Sequence, residues 1–422
     1  RSTIERSIEA CAPYVVLGIG GVPLKWATGL TDVRSFRGKP FAARFGQHVC
    51  WYVPTLDPDW LDPFAGQRID KVPCDEWAAA LERDVRAAYA LASTATVPKV
   101  LTPERVTGNL VLLRSHAEVV KVLEHLATLE LVGFDFETHR TRPYGADALL
   151  LSMAFSDGVT TWAMPWEHSG TWFDAAARRR LRPVLRAFFL SHALKVAHNL
   201  PFEAEWIAHH FGFDIAPHFS THFACTMQQA FVLDPGPPGN KGSSGHALHD
   251  LMVRHFGVRL KELEHAADFV ARLRELDVGD VLAYNGPDAR AAVLLFRRQR
   301  KLVEQQGLET IYQDQLDRVF PVVAAQRAGI PIDATINAEF QTKLAAELTA
   351  VEARIRSVPE IAVFERRNKV VFNPLANDHV GKLLVDHFGM STVCGATDRS
   401  YKTADDVLRP LMSRAPIIGH VL

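Results

Sequence analysis

The sequence of 422 residues has little cysteine, no long apolar run and no excess of charge of either sign. Its five cysteines are odd in number, widely spaced and without a Cys-x-x-Cys pair. This pattern favours reduced thiols in a cytoplasmic protein over a disulfide framework. No apolar stretch approaches the length of a membrane span, so we expect no membrane segment. A net charge of −1 does not mark the chain as a nucleic-acid binder, and any such binding would rest on local patches.

The composition is typical of a globular protein, with 48% hydrophobic and 23% charged residues. The length suits two or three domains with cores of their own. The stretch 93–104, STATVPKVLTPE, predicts a linker between a small α/β segment at 1–92 and a larger domain at 105–318. After about residue 320 the pattern turns helical, which predicts a mainly helical segment at 319–422. A Gly/Pro/Ser-rich stretch at 234–246 predicts a long loop inside the larger domain.

The first of three acidic clusters in the larger domain lies in LVGFDFET, which reads as a buried strand. Residues two apart in a strand point to the same face, so Asp135 and Glu137 lie side by side while Phe134 and Phe136 face the other way. The alternative is an edge strand with two solvated acids. The apolar run before Asp135 argues for burial, and burying unpaired carboxylates is costly. This pair therefore indicates cation ligands.

The second and third clusters each place a carboxylate four positions after a polar residue. In AHNLPFEAEW, Asn199 and Glu203 share a helical face if a helix begins just before Pro201. In LAYNGPDA, Tyr284 and Asp288 are again four apart, and a phenol one turn from a carboxylate can hold a water for activation. Taken alone, each pair is explained equally well as a helix cap or a core tyrosine. Their occurrence together, in this order, is the stronger signal.

Four carboxylates on three elements are what a two-metal phosphodiesterase requires. Two divalent ions, magnesium or manganese, lie about 3.5 to 4 Å apart in such sites and are bridged and flanked by carboxylates. One ion activates the attacking water, and the other stabilises the leaving oxygen. The sequence thus predicts a two-metal site for phosphodiester hydrolysis, with four ligands: Asp135, Glu137, Glu203 and Asp288.

In their order, the motifs Asp-x-Glu, His-Asn-x-x-Phe-acid and Tyr-x-x-x-Asp resemble the three exonuclease motifs of the 3′ to 5′ proofreading domain of family A DNA polymerases. The resemblance covers roughly residues 105–320 and implies a ribonuclease H-like α/β fold, with a central mixed sheet and helices on both faces. It implies that Tyr284 orients the attacking water. The implied metal ligands and catalytic carboxylates are Asp135, Glu137, Glu203 and Asp288, and the implied strand-binding residues are Asn199, Phe202 and Thr138.

Two positions depart from the pattern of this family. Glu203 stands where the family more often has aspartate, so its carboxylate reaches one methylene further. Pro287 lies between Tyr284 and Asp288, where the family pattern has a helix already under way. Proline fits a first helical turn but disrupts a helix interior. A helix that starts at Asn285 keeps the expected geometry, whereas one that starts later turns Tyr284 elsewhere.

The flanking segments carry resemblances of their own. The stretches LDRVFPVVAAQRAGIPID and FNPLANDHVGKLLVDHFGM resemble the entry into a family A polymerase domain and the base of its thumb. The palm motifs and the nucleotide-binding helix of such polymerases have no counterpart here, so the sequence assigns no nucleotide incorporation to this chain. Residues 10–65 resemble, more weakly, part of the uracil-DNA glycosylase superfamily, with Asp57 at its histidine position. We expect a DNA-binding or structural remnant there, and an ordinary α/β fragment is the alternative.

These patterns lead to the hypothesis of a metal-dependent 3′ to 5′ exonuclease that acts on single-stranded or frayed 3′ ends of DNA. It would be the proofreading part of a phage or bacterial family A polymerase in DNA replication. The expected partners are DNA, the remainder of a polymerase and other replication proteins. Two alternatives stay open, a ribonuclease D-like RNA exonuclease with the same three motifs and a catalytically silent DNA-binding module.

Overall fold

The computed structural model describes residues 2–61, 74–235, 245–260, 272–393, 401, 403–415 and 417–421. The chain divides into two compact units, residues 1–329 and 330–422. The predicted loop at 234–246 lies outside the described residues except at its two ends. The predicted boundaries at 92, 104 and 318 stay predictions, and position 318 falls inside the helix Glu309–Ala328. None of the helices described has the length and apolarity needed to cross a membrane.

The first unit opens with a small sheet in the order β1-β3-β2, in which β1 and β3 are parallel and β2 is antiparallel to β3. Its core contains Leu24, Phe41 and Tyr52, together with Val253 from far along the chain. The strands are β1 (Val15–Ile19), β2 (Phe41–Phe45) and β3 (His48–Thr55), and the helices are α1 (Thr3–Cys11), α2 (Gly21–Thr28), α3 (Val33–Phe36) and α4 (Cys74–Ser93).

A six-stranded mixed sheet forms the centre of the first unit, in the order β4-β7-β6-β5-β8-β9. The strands are β4 (Asn109–Leu112), β5 (Leu131–Thr138), β6 (Leu150–Ser156), β7 (Thr160–Pro165), β8 (Leu194–Ala197) and β9 (Phe223–Cys225). Strand β6 is antiparallel to both β5 and β7, whereas β8 is parallel to β5 and β9 is parallel to β8. This mixed central sheet confirms the predicted ribonuclease H-like fold class.

Helices pack on both faces of this sheet. The helices of this region are α5 (Pro103–Thr107), α6 (His116–Leu126), α7 (Ala175–Phe189), α8 (Leu200–Phe211), α9 (Phe219–His222), α10 (Thr226–Leu233), α11 (Leu248–Phe256), α12 (Val278–Gln306) and α13 (Glu309–Ala328). On one face, Phe134 of β5 is buried with Phe189 of α7 and Trp206 of α8. On the other face, Ala154 and Ala163 of the sheet pack against Ala289 of α12. The small alanine side chains let α12 lie close to the strands.

The second unit is helical, as the sequence predicts. Its helices are α14 (Ala334–Arg356), α15 (Pro359–Asn368), α16 (Asn377–Phe388), α17 (Asp405–Leu408) and α18 (Ile418–Val421). Ile361, Phe364 and Leu384 are among the residues of its core. Helix α14 begins at an Asp333 cap and joins this core only near its carboxyl end, at Val351 and Ile355.

Candidate active site

Strand β5 supplies the first two carboxylates. The alternation of the strand buries Phe134 and Phe136 on one face and leaves Asp135 and Glu137 half-buried on the other. The register of β5 against β6 shifts between Glu137 and Thr138, where the strand has an irregularity of the bulge type. Such irregularities redirect a side chain next to a site. The sequence pattern predicts the strand and its faces but gives no sign of this shift.

Helix α12 supplies Asp288, because its backbone crosses β5 at a glycine. A Cβ atom on Gly133 would lie 2.1 Å from the carbonyl oxygen of Ala289, so only glycine permits this approach. Asp288 immediately precedes Ala289, and Asp135 points to the same face as Gly133. The result is a cluster in which Asp135, Glu137 and Asp288 each offer a ligand atom, all within 4.8 Å of one another.

The start of α12 corrects the expectation drawn from Pro287. The helix begins at Val278, well before Asn285, and Pro287 lies in its interior. Asp277 caps the helix by accepting a hydrogen bond from the backbone of Gly279 at 2.7 Å. A proline at 287 removes the hydrogen bond to the carbonyl of Ala283, and Ala283 lies on the exposed side of the helix, where water can replace it. Tyr284 and Asp288 therefore keep the one-turn spacing of a continuous helix.

Asn285 is a residue of this site that the sequence reasoning missed. Its side chain is buried, and its Nδ2 donates to Ser152 Oγ at 3.0 Å. Ser152 lies opposite Glu137 in the β5–β6 pairing. This hydrogen bond therefore ties α12 to the sheet beside the acidic cluster. A buried asparagine in the middle of a helix, between the two motif residues Tyr284 and Asp288, is the signal that could have identified it.

Helix α8 carries the fourth carboxylate. Asn199 precedes the helix with a left-handed backbone, φ 68°, and Pro201 occupies the first turn. Glu203 is 2% exposed, and within the described residues its Oε2 has no hydrogen-bond partner. Burial raises the pKa of Glu203 well above its usual value, and the charge of Glu137 raises it further. Glu203 therefore lies near Glu137, although it is outside the group of three whose ligand atoms meet.

The other predicted site residues are distributed around this centre. Thr138 follows Glu137 and donates from Oγ1 to the carbonyl of Arg140 at 2.7 Å. Asn199 makes no side-chain capping bond to α8. Phe202 is partly buried, with its ring 6.2 Å from that of Trp206. Tyr284 is half-buried against an apolar cluster that contains Leu151, Leu273 and Val281.

The donor set fits divalent cations. Carboxylate oxygens are the ligands that magnesium and manganese prefer in proteins. A buried carboxylate oxygen of Glu203 without a hydrogen bond among the described residues is costly unless a cation or a proton compensates for it. The cluster of Asp135, Glu137 and Asp288 can thus hold a metal ion, with Glu203 beside it.

Comparison with known proteins finds similarity over the same region. Residues 111–304 match a family model of DNA polymerase A type that is described as a 3′–5′ exonuclease. A DNA polymerase of Escherichia phage T5 is 26% identical over 315 residues, which are 69% of this chain and 34% of that protein. The chain thus spans about a third of the length of this curated relative.

Solved structures give weaker matches. The POL domain of Pol1 from M. smegmatis, in complex with DNA primer-template and dNTP, is 15% identical and has a TM-score of 0.44. That match covers 74% of this chain and 47% of the other. The catalytic core of RRP6 from Trypanosoma brucei is 14% identical with a TM-score of 0.41, and the match covers 75% of this chain and 81% of the other.

Proposed function

We propose the reaction and substrate of the chain from the match of residues 111–304 to the family model described as a 3′–5′ exonuclease of DNA polymerase A type. The chain hydrolyses DNA phosphodiesters from single-stranded or frayed 3′ ends and releases nucleoside monophosphates. It is the proofreading part of a family A polymerase in DNA replication. The observation that carries the proposal is the meeting of Asp135, Glu137 and Asp288 within 4.8 Å.

Each residue of the site has a defined task in this reaction. Two divalent ions, magnesium or manganese, would supply an activated water and stabilise the leaving oxygen when bound. Asp135, Glu137 and Asp288 would hold them, with Glu203 as the fourth carboxylate beside this set. Tyr284, one turn before Asp288, orients the attacking water with its phenol. Asn199, Phe202 and Thr138 hold the terminal nucleotides of the strand.

The first prediction concerns Asp135, which shares its strand face with the crossing of α12 at Gly133. Because catalysis in such a site is mostly electrostatic, we expect Asp135→Ala to lower the rate of digestion by about 10³-fold or more while DNA binding stays within a few-fold. A 5′-labelled oligonucleotide with a 3′ single strand is digested with and without manganese. A metal-dependent ladder in the unaltered chain, absent from Asp135→Ala, is the expected result.

The same assay separates the proposal from its alternatives. Matched RNA and DNA oligonucleotides are digested side by side, and faster digestion of RNA would favour the ribonuclease D-like enzyme. Binding of DNA without any ladder, at any concentration of manganese, would favour the silent module. Equal activity in the Asp135→Ala protein would remove this site from consideration.

The cellular location and the partners of the chain are also part of the proposal. We place the chain in the cytoplasm of a bacterial or phage-infected cell, with the remainder of a polymerase and other replication proteins as its partners. The match to a phage DNA polymerase supports this setting.

A further inference from the structure

A polar contact joins the amino-terminal segment to the exonuclease region. Lys39, between α3 and β2, places its Nζ 2.7 Å from Oδ2 of Asp234, which follows α10. The two side chains are only 16% and 20% exposed. Arg254 of α11 donates to the same oxygen at 2.9 Å. Burial disfavours the charged form of the Lys39 ammonium and lowers its pKa. The hydrogen bond and the charge of Asp234 act in the opposite direction and favour the charged form.

From Asp234 the contacts continue to the second motif. His246, 7% exposed, donates from Nε2 to the backbone carbonyl of Asp234 at 2.6 Å. The Nδ1 atom of His198 lies 2.9 Å from Oγ1 of Thr226, the first residue of α10. His198 therefore contacts the amino end of α10, and His246 contacts the residue that follows its carboxyl end.

The end of this chain of contacts is the start of α8. His198 immediately precedes Asn199, whose left-handed backbone turns the chain into the helix. A positive φ at a residue other than glycine is maintained by the structure around it. The contact of His198 with Thr226 is one of those that surround this turn into α8. Glu203 lies in the first turn of that helix.

Further contacts seat the same amino-terminal segment on α11. Gly257 follows this helix with φ 63°, and a Cβ there would lie 2.6 Å from the carbonyl oxygen of Ala42 in β2. Val253 of α11 is buried in the core of the amino-terminal sheet. Close backbone approach and shared core make this a fixed contact, so Lys39 has a defined position relative to Asp234.

We propose that Lys39 is a positioning residue of the exonuclease site. By holding Asp234 at the carboxyl end of α10, it fixes this helix and Thr226 at the helix's amino end. Through Thr226 it fixes His198 and the turn at Asn199, and with them the first turn of α8 with Glu203. The amino-terminal segment then contributes to the activity of the exonuclease site by positioning its residues. This inference rests on the proposed function, and its test is designed so that the two can fail separately.

The test compares three variants of the full chain. Lys39→Met removes the charge at similar length, Lys39→Arg keeps it, and Lys25→Met removes a charge from an exposed lysine of the same segment. We expect Lys39→Met to lower the kcat for manganese-dependent digestion by about 5-fold or more, with KM for DNA within about twofold, because small misplacements of a catalytic group are costly. Lys39→Arg should recover at least half of the rate, and Lys25→Met should match the unaltered chain. A lower Tm with unchanged kcat would reduce Lys39 to a stabilising role and overturn the proposal.

A double-mutant cycle tests the route. If Lys39 acts through His198, the combination of Lys39→Met and His198→Gln should lose no more activity than His198→Gln alone. Losses that multiply would overturn this route.

A measurement without metal or DNA distinguishes the two proposals. The NMR signal of the His198 imidazole should shift in Lys39→Met and stay in place in Lys25→Met. If the unaltered chain digests no DNA but this signal responds to Lys39→Met, the proposed function fails and the contacts stand. If digestion is normal and neither rate nor signal changes in Lys39→Met, the positioning role fails alone.

Discussion

At Gly133 the absence of a side chain sets the distance between β5 and α12. A Cβ at this position would meet the carbonyl oxygen of Ala289 at 2.1 Å and a methyl group of Val293 at 2.6 Å. The first of these atoms belongs to a helix backbone, which cannot move aside as a side chain can. Asp288 precedes Ala289, and Asp135 shares the face of Gly133. The same close approach that requires glycine therefore brings the carboxylates of the two elements together.

We expect Gly133→Ala to damage the site through this contact. The added methyl group pushes α12 away from β5, which should lower the rate of digestion by about 10-fold or more and the free energy of unfolding by about 1 to 3 kcal/mol. Digestion of a 3′ single-stranded oligonucleotide and urea unfolding measure the two effects. Gly21→Ala is the matched control, since a Cβ there meets nothing within 4 Å. A Gly133→Ala protein with unaltered activity would show that the carboxylates do not depend on this approach.

At the scale of elements, the sequence predicts best what depends on local pattern. Strand β5 alternates in burial as its residues alternate. The sequence does not predict the start of α12, because Pro287 suggests a later start, although Asp277 is a common type of capping residue. The shift in register at Glu137 and the burial of Asn285 depend on contacts with β6, far along the chain, which a local pattern does not contain.

The junction of β8 and α8 contains a histidine that should make stability depend on pH. Burial lowers the pKa of His198 from 6.5 to about 4. The unfolded chain therefore binds a proton at a pH where the folded chain does not. The stability that this neutral imidazole contributes is complete above pH 6.5 and is lost as the pH falls through 4.

We expect this loss to be measurable by urea unfolding at pH 7.5 and pH 5.0. The unaltered chain should lose about 1 to 2 kcal/mol more on acidification than His198→Gln, which has no proton to gain at that position. Both proteins share all other titrating groups, so the difference isolates His198. An equal loss in the two proteins would mean that the imidazole titrates alike in the folded and unfolded chain.

At the scale of the molecule, the first compact unit joins the amino-terminal segment and the exonuclease region in one body. Strand β2 and helix α11 meet at Gly257 and Ala42, and the core of the small sheet contains Val253 from α11. The backbone of Leu101 donates to the carbonyl of Phe256 at 2.9 Å, which ties the stretch after α4 to the same helix. None of these three contacts could be predicted from the sequence, because each joins segments more than a hundred residues apart, where hydrophobic periodicity carries no information.

Val253 of α11 is buried in the core of the amino-terminal sheet. We therefore expect the amino-terminal segment and the exonuclease region to unfold locally together. Val253 is 4% exposed, and Val253→Ala removes methyl groups from a core that both parts build, which should cost about 1 to 3 kcal/mol. Hydrogen exchange followed by mass spectrometry should then show faster exchange in β2 and β3 and also in β5 and β8, far from the substitution. Val22→Ala, at a side chain that is 82% exposed, should change neither set of strands. Faster exchange confined to β2 and β3 would instead mean that the amino-terminal segment opens by itself, and the exonuclease region would then retain its structure without the contact at α11.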